Sequence, residues 1–117
     1  MSENPKRFLP LGPAALHILL CLAGESRHGY AIMQEVERQS EGQYKLGPGT
    51  LYDNIQKLMG QGMVEEGKRP SRDEDPRRKY YRLTAFGRCV LAADIERLKS
   101  VVREAELWLG APHPKKA

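Results

Sequence analysis

Apolar residues recur along this chain at spacings that change with position, and the changes mark its elements. Behind Pro13, which suits the first turn of a helix, Leu16, Leu19, Leu20 and Leu22 follow one another up to Gly24 and predict a first helix buried on most faces. After a polar turn over residues 24–28, Tyr30, Ile32, Met33 and Val36 make a narrower stripe on an otherwise charged second helix running to Gln39. Gly42 breaks that pattern, Tyr44-Lys45-Leu46 has the character of a brief strand, and Gly47-Pro48-Gly49 punctuates before Thr50. A third helix then carries Leu51, Ile55 and Leu58 on one face and is ended by Gly60 and Gly62.

The second half of the chain reads differently. Met63 to Glu66 and Lys79 to Leu83 predict two strands of a hairpin, joined by a polar, proline-bearing loop over residues 67–78. Thr84 is a good N-cap for one long helix from Ala85 to Leu109, which Gly110, Pro112 and Pro114 bring to an end. Along it Leu91, Ile95, Leu98, Val102, Ala105 and Leu109 alternate steps of four and three, a heptad seam too long for so small a domain to bury on its own core. A partner helix from a second copy is the simplest way to cover it, an intramolecular packing stripe the alternative. The fold class is therefore mainly α with a small β-hairpin (α+β): a helix-turn-helix core, the hairpin as its wing, and a long C-terminal helix.

Charge changes the picture in one place. Between Gly67 and Arg82 stand seven basic residues against three acids, and the remaining 12 basic and 12 acidic residues cancel. A local excess on a loop fits contact with a polyanion. Other chemistry is sparse. Cys21 and Cys89 match no metal or redox spacing and are expected to fill the core, and His17, His28 and His113 form no ligand cluster, so no cofactor or metal is expected. Lys6 and Arg7 ahead of an apolar run imitate a signal peptide, but Gly12-Pro13 and His17 interrupt it, and no run reaches the ~20 apolar residues of a membrane span. The expected setting is the cytoplasm.

Three stretches of local wording narrow the reading. His28-Gly29-Tyr30 opens the second helix, Gly49-Thr50-Leu51-Tyr52 opens the third, and Arg77-Arg78-Lys79-Tyr80-Tyr81-Arg82-Leu83-Thr84 precedes Gly87. In this order and spacing the chain resembles the PadR family, closely from Leu16 to Gly87 and in the length and role of its last helix. The resemblance implies a dimeric winged helix-turn-helix repressor of the short subgroup with a single C-terminal dimerisation helix. It divides the chain into a DNA-binding domain over residues 1–84, a dimerisation helix over 85–110 and a flexible tail over 111–117. Two departures matter. Asp53 stands where relatives often have proline, and Leu98 where drug-sensing relatives have the tryptophan of an aromatic sandwich, with Trp108 almost three turns further on.

With Leu51, Ile55 and Leu58 turned inward, the 100° step per residue sends Gly49, Asp53, Gln56, Lys57 and Gly60 outward, to the major groove of double-stranded DNA. Gln56 suits adenine, Lys57 guanine or phosphate, and Thr50 a phosphate oxygen. Tyr52 is expected on the flank, its ring on the wing and its hydroxyl at a phosphate. Arg72, Arg77, Arg78 and Lys79 are the wing's candidate contacts, and Asp73-Glu74-Asp75 is expected to point away or to pair with Arg72 and Arg77. Leu91, Ile95, Leu98, Val102, Ala105, Trp108 and Leu109 are the candidate homodimer interface, where a small-molecule effector would also lodge. The competing function is a winged helix that contacts protein or RNA. An enzyme is not expected, for no nucleophile, base and orienting group stand at a defensible spacing.

Overall fold

A computed structural model describes residues 4–110, and the tail expected over 111–117 lies outside them. A short turn of 3-10 helix, Pro5–Phe8, leads into helix α1, Pro13–Gly24, which proline opens as expected. Strand β1, Arg27–His28, runs directly into helix α2, Gly29–Gln39; helix α3, Pro48–Gly60, follows, then strands β2, Val64–Gly67, and β3, Tyr80–Leu83, and helix α4, Ala85–Leu109. The mainly α architecture with a small sheet is the one the periodicity predicts.

Two local expectations are corrected. The sheet has three strands in the order β1-β3-β2, all antiparallel, because the segment read as a polar turn pairs Arg27 with Tyr81 and His28 with Tyr80. The brief strand expected at Tyr44-Lys45-Leu46 does not form: Tyr44 stacks on His17 with ring centroids 5.5 Å apart, and Leu46 turns into the core. In β2 and β3, Glu65 lies opposite Arg82, whose Nε donates to its carboxylate at 2.7 Å.

The core forms where the three short helices and the sheet meet. Ile18, Leu19 and Leu22 of α1 pack with Ile32 and Val36 of α2, with Leu51, Ile55 and Leu58 of α3, and with Met63, Val64 and Leu83 around the sheet. Burying side chains of this size stabilises by roughly 1.5–3 kcal/mol each before chain entropy is set against it. Gly62, at φ +79, ends α3: its own N–H reaches the Met59 carbonyl and the next N–H, of Met63, reaches back to Leu58 at 2.9 Å. Thr84 caps α4, its hydroxyl accepting from the Gly87 N–H at 2.9 Å and donating to the Gly62 carbonyl at 2.6 Å.

Helix α4 is buried over its first half and bare over its second. Val90 and Leu91 enter the core and Ile95 packs against it, whereas every residue from Lys99 onward is exposed. Leu91 and Ile95, the first two residues of the predicted seam, are thus used inside their own chain. Asp94 is fully buried beside them, held by Arg97 Nε at 2.6 Å, with Oδ2 unpartnered. The expectation that both cysteines fill the core holds for Cys21, whose thiol burial pushes up to about 12, while helical rotation turns Cys89 to the surface.

Candidate nucleic-acid interface

The inward stripe of α3 fixes what its other side offers. With Leu51, Ile55 and Leu58 buried, Gly49, Thr50, Tyr52, Asp53, Gln56, Lys57 and Gly60 are all exposed, as the 100° step requires. No β-carbon built on Gly49 or Gly60 would meet an atom within 4 Å, so both leave the helix surface open to a close approach. Asn54 and Met59 share this surface without having been singled out; Asn54 donates to the Thr50 carbonyl at 2.9 Å.

Beside α3 lies a cleft of about 320 Å³ lined by His28, Gly29, Tyr30, Tyr52, Arg77, Arg78, Lys79 and Tyr81. It brings the predicted Tyr52 together with three of the four predicted wing cations. Arg72 is not among them: it lines a polar cavity on the other side of the loop, with Arg27, Asp73 and Glu74. Gly49, Thr50, Asp53 and Gln56 lie outside the cleft on the exposed face of α3, and Lys57 borders a separate cavity under the helix. Sequence reasoning missed His28, Tyr30 and Tyr81 as members of the cleft. The signal was there in His28-Gly29-Tyr30, an aromatic and a glycine at the start of a helix.

Each wall of the cleft has a reason. His28 caps α2, its Nδ1 accepting from the Ala31 N–H at 3.3 Å, and its ring meets Tyr80 edge-on at 5.3 Å. Burial, then the neighbouring Arg78, holds its pKa below the usual imidazole range, against the pull of Asp73, so the capping ring is neutral. Tyr81 is raised from the ordinary phenol value by burial first and by Tyr52 next.

The acids of the loop do not point idly outward. Asp73 turns in and takes the Tyr80 hydroxyl at 2.6 Å, the Asp75 N–H at 3.0 Å and Arg78 Nη1 at 3.5 Å, while Arg69 donates to its carbonyl. The Tyr80 hydrogen bond, more than any other contact, pulls its pKa down to about 2. Asp75 meets Arg77 at 3.3 Å and Arg78 at 3.9 Å. The pairing expected with Arg77 is present, and Arg78 takes the place expected of Arg72. These contacts fold the loop onto β3 while leaving Arg77 and Lys79 exposed at its return.

Three exposed cations beside a tyrosine hydroxyl suit phosphate oxygens, and an adjacent helix face with Gln56, Lys57 and Asp53 suits base edges. On α4, the side chains of Val102, Trp108 and Leu109 are bare, as are Val101 and Leu107, and Leu98 borders an apolar groove with Ile95 and Val102. Trp108 donates its indole N–H to Glu104 at 2.8 Å. Among the described residues no helix is long and apolar enough to cross a membrane, and no group of three or more His, Cys, Asp or Glu is gathered for a metal.

Comparison with known proteins adds to this geometry. Residues 18–93 match the Transcriptional regulator PadR-like family. The transcriptional regulator Rv3488 of Mycobacterium tuberculosis is 34% identical over 89 residues, which span 76% of this chain and 78% of that protein. Among solved structures, a PadR family transcription regulator from Clostridium difficile has a TM-score of 0.71 at 21% identity, covering 85% of this chain and 100% of that one. A transcriptional regulator from Clostridium thermocellum has a TM-score of 0.69 at 22% identity, covering 93% and 98%. At these identities the two structures speak for a shared fold.

Proposed function

The chain belongs to the PadR-like family of transcriptional regulators, and from that premise we propose that it represses transcription as a homodimer on an inverted-repeat operator in double-stranded DNA. The observation that carries the reading is the junction of two surfaces: the exposed polar face of α3 and, beside it, the cleft that joins Tyr52 to Arg77, Arg78 and Lys79. In this reading α3 enters the major groove. Gln56 and Lys57 meet base edges, Gly49 and Gly60 allow close approach, and Thr50 reaches a phosphate. Asp53 accepts from a cytosine amino group. Tyr52 and the three wing cations bind the flanking backbone, with Arg72 as an outlying contact, and each phosphate they neutralise steepens the salt dependence.

Homodimerisation runs through the bare half of α4, from Leu98 through Val102 and Ala105 to Trp108 and Leu109. Two recognition helices related by a two-fold axis then read half-sites about one turn, roughly 34 Å, apart. Residues 1–84 thus serve as the DNA-binding domain and 85–110 as the dimerisation helix. The role is regulatory, not catalytic, and belongs to the cytoplasm, where the DNA is. A lipophilic effector would enter the apolar groove around Leu98 and Val102 between subunits and release the operator.

Fluorescence anisotropy with the promoter fragment upstream of the protein's own gene, against a scrambled duplex at two salt concentrations, tests the reading. A preference of at least about a hundredfold that weakens steeply with salt is expected. Equal, weak binding to both duplexes would speak against an autoregulator and favour a protein-contacting winged helix.

A further inference from the structure

A second cavity, of about 350 Å³, lies beneath α3, between that helix and the segment that leads into α1. Its floor is apolar: Phe8, held edge-on to Phe86 at 5.7 Å, with Leu11, Ala15 and Met63. Its rim is polar and comes from α3, where Asn54, Lys57 and Gln61 reach it. Asn54 is committed to the Thr50 carbonyl, but Lys57 has no ion-pair partner and Gln61 no side-chain hydrogen bond among the described residues. A lone ammonium and an amide over an apolar floor select a compact apolar body with an anionic head.

We propose that this cavity binds a small carboxylate, with its apolar body on Phe8, Leu11 and Ala15 and its carboxylate on Lys57, and that the bound molecule weakens operator binding. The regulatory half rests on the reading of α3 as the DNA-facing helix. Lys57 stands on that exposed face and at the cavity rim together, so one ammonium cannot serve a carboxylate below and the operator in front. The site is separate from the groove on α4, which Ile95, Leu98 and Val102 line.

Titration of the full chain with cyclohexanecarboxylate, and with cyclohexylmethanol as the uncharged control, followed by amide chemical shifts without DNA, tests the binding half. Saturable shifts at Leu11, Ala15, Lys57 and Met63 are expected, with a dissociation constant on the order of millimolar or tighter. Lys57→Gln should weaken the carboxylate about tenfold and leave the alcohol unchanged; Ala15→Leu, which fills the floor, should abolish both. Shifts that stay linear, or equal affinity for acid and alcohol, overturn the assignment.

The regulatory half is read by anisotropy. Saturating carboxylate should lower operator affinity of the wild-type chain severalfold and leave Ala15→Leu, which still binds DNA, unaffected. No change in the wild type overturns the coupling. A chain that binds the carboxylate but no DNA in its absence would sink the regulator reading and leave the cavity assignment standing.

Discussion

The hydroxyl of Tyr52 occupies the space that a β-carbon on residue 29 would need. Such a carbon on Gly29 would stand 2.8 Å from the Tyr52 Cζ and closer still to the hydroxyl, so glycine at the start of α2 is what lets the α3 tyrosine lie across it. Gly29 lies in the first turn of α2 and has no positive φ, so the requirement is one of space.

A double-mutant cycle on this pair separates the two effects. Gly29→Ala should destabilise the wild-type chain by about 1–3 kcal/mol, because the ring must move. In a Tyr52→Ala background the same change should be neutral or stabilising by roughly 0.4–1 kcal/mol, the usual gain from restricting the unfolded chain. Urea unfolding reads both, and equal costs in the two backgrounds would disprove the contact. Gly29→Ala should also weaken operator binding, since the ring it displaces is the cleft's wall.

Two other glycines make a contrast. A β-carbon on Gly87 would lie 2.9 Å from the carbonyl carbon of Met63, with the oxygen nearer, and backbone cannot swing aside as a side chain can. Gly87→Ala should therefore destabilise by about 2–4 kcal/mol. Gly49→Ala meets nothing and should leave stability unchanged or raise it by up to ~1 kcal/mol through helix propensity, while lowering operator affinity. Thermal melts paired with anisotropy distinguish the two.

These positions also show what the sequence could and could not disclose. The outward face of α3 was legible because a helix repeats every 3.6 residues and its buried stripe leaves one alternative. The three motifs were legible as wording, but Gly29 owes its place to a ring on another helix, which no local pattern announces. Strand β1 was illegible for a similar reason: two residues become a strand through pairing with Tyr80 and Tyr81, far along the chain. Tyr44-Lys45-Leu46 has the composition of a strand and lacks a neighbour to pair with. Cys89 sits in an apolar run, yet its position on the helix turns it to solvent. Whether an acid such as Asp73 repels DNA or latches a loop depends on Tyr80, which reaches it only once β3 is in place.

The cap on α2 makes a prediction about pH. His28 accepts from the Ala31 N–H only as a neutral ring, and burial and Arg78 lower its pKa below the ordinary 6.5 while Asp73 opposes them. With the folded value below the unfolded one, the cap's contribution is complete above about pH 6.5 and is lost as the pH falls through the lower, folded pKa. The melting temperature should thus drop on acidification from pH 7 to 5. His28→Asn, which keeps a capping side chain that does not titrate, should flatten that drop. An identical pH profile for the variant would mean that other groups set it.

The bare half of α4 yields the sharpest test of assembly. From Lys99 to Leu109 the helix touches nothing in its own chain, yet Val101, Val102, Leu107, Trp108 and Leu109 are each at least 52% exposed. A helical segment of this length is marginal in water without packing, so its stability must come from outside the chain. Val102→Asp should convert the dimer to a monomer in sedimentation, fray the end of α4 with a loss of helical ellipticity, and remove the concentration dependence of the melting temperature. Operator affinity should fall by at least about a hundredfold, because one recognition helix reads half a site. Leu91→Ala should do the opposite. That side chain is buried in its own core, so its loss should destabilise each chain by roughly 2–5 kcal/mol and leave dimerisation in place. If Val102→Asp stays dimeric with unchanged affinity, the copies meet elsewhere, and the half-site spacing expected of the operator falls with the seam.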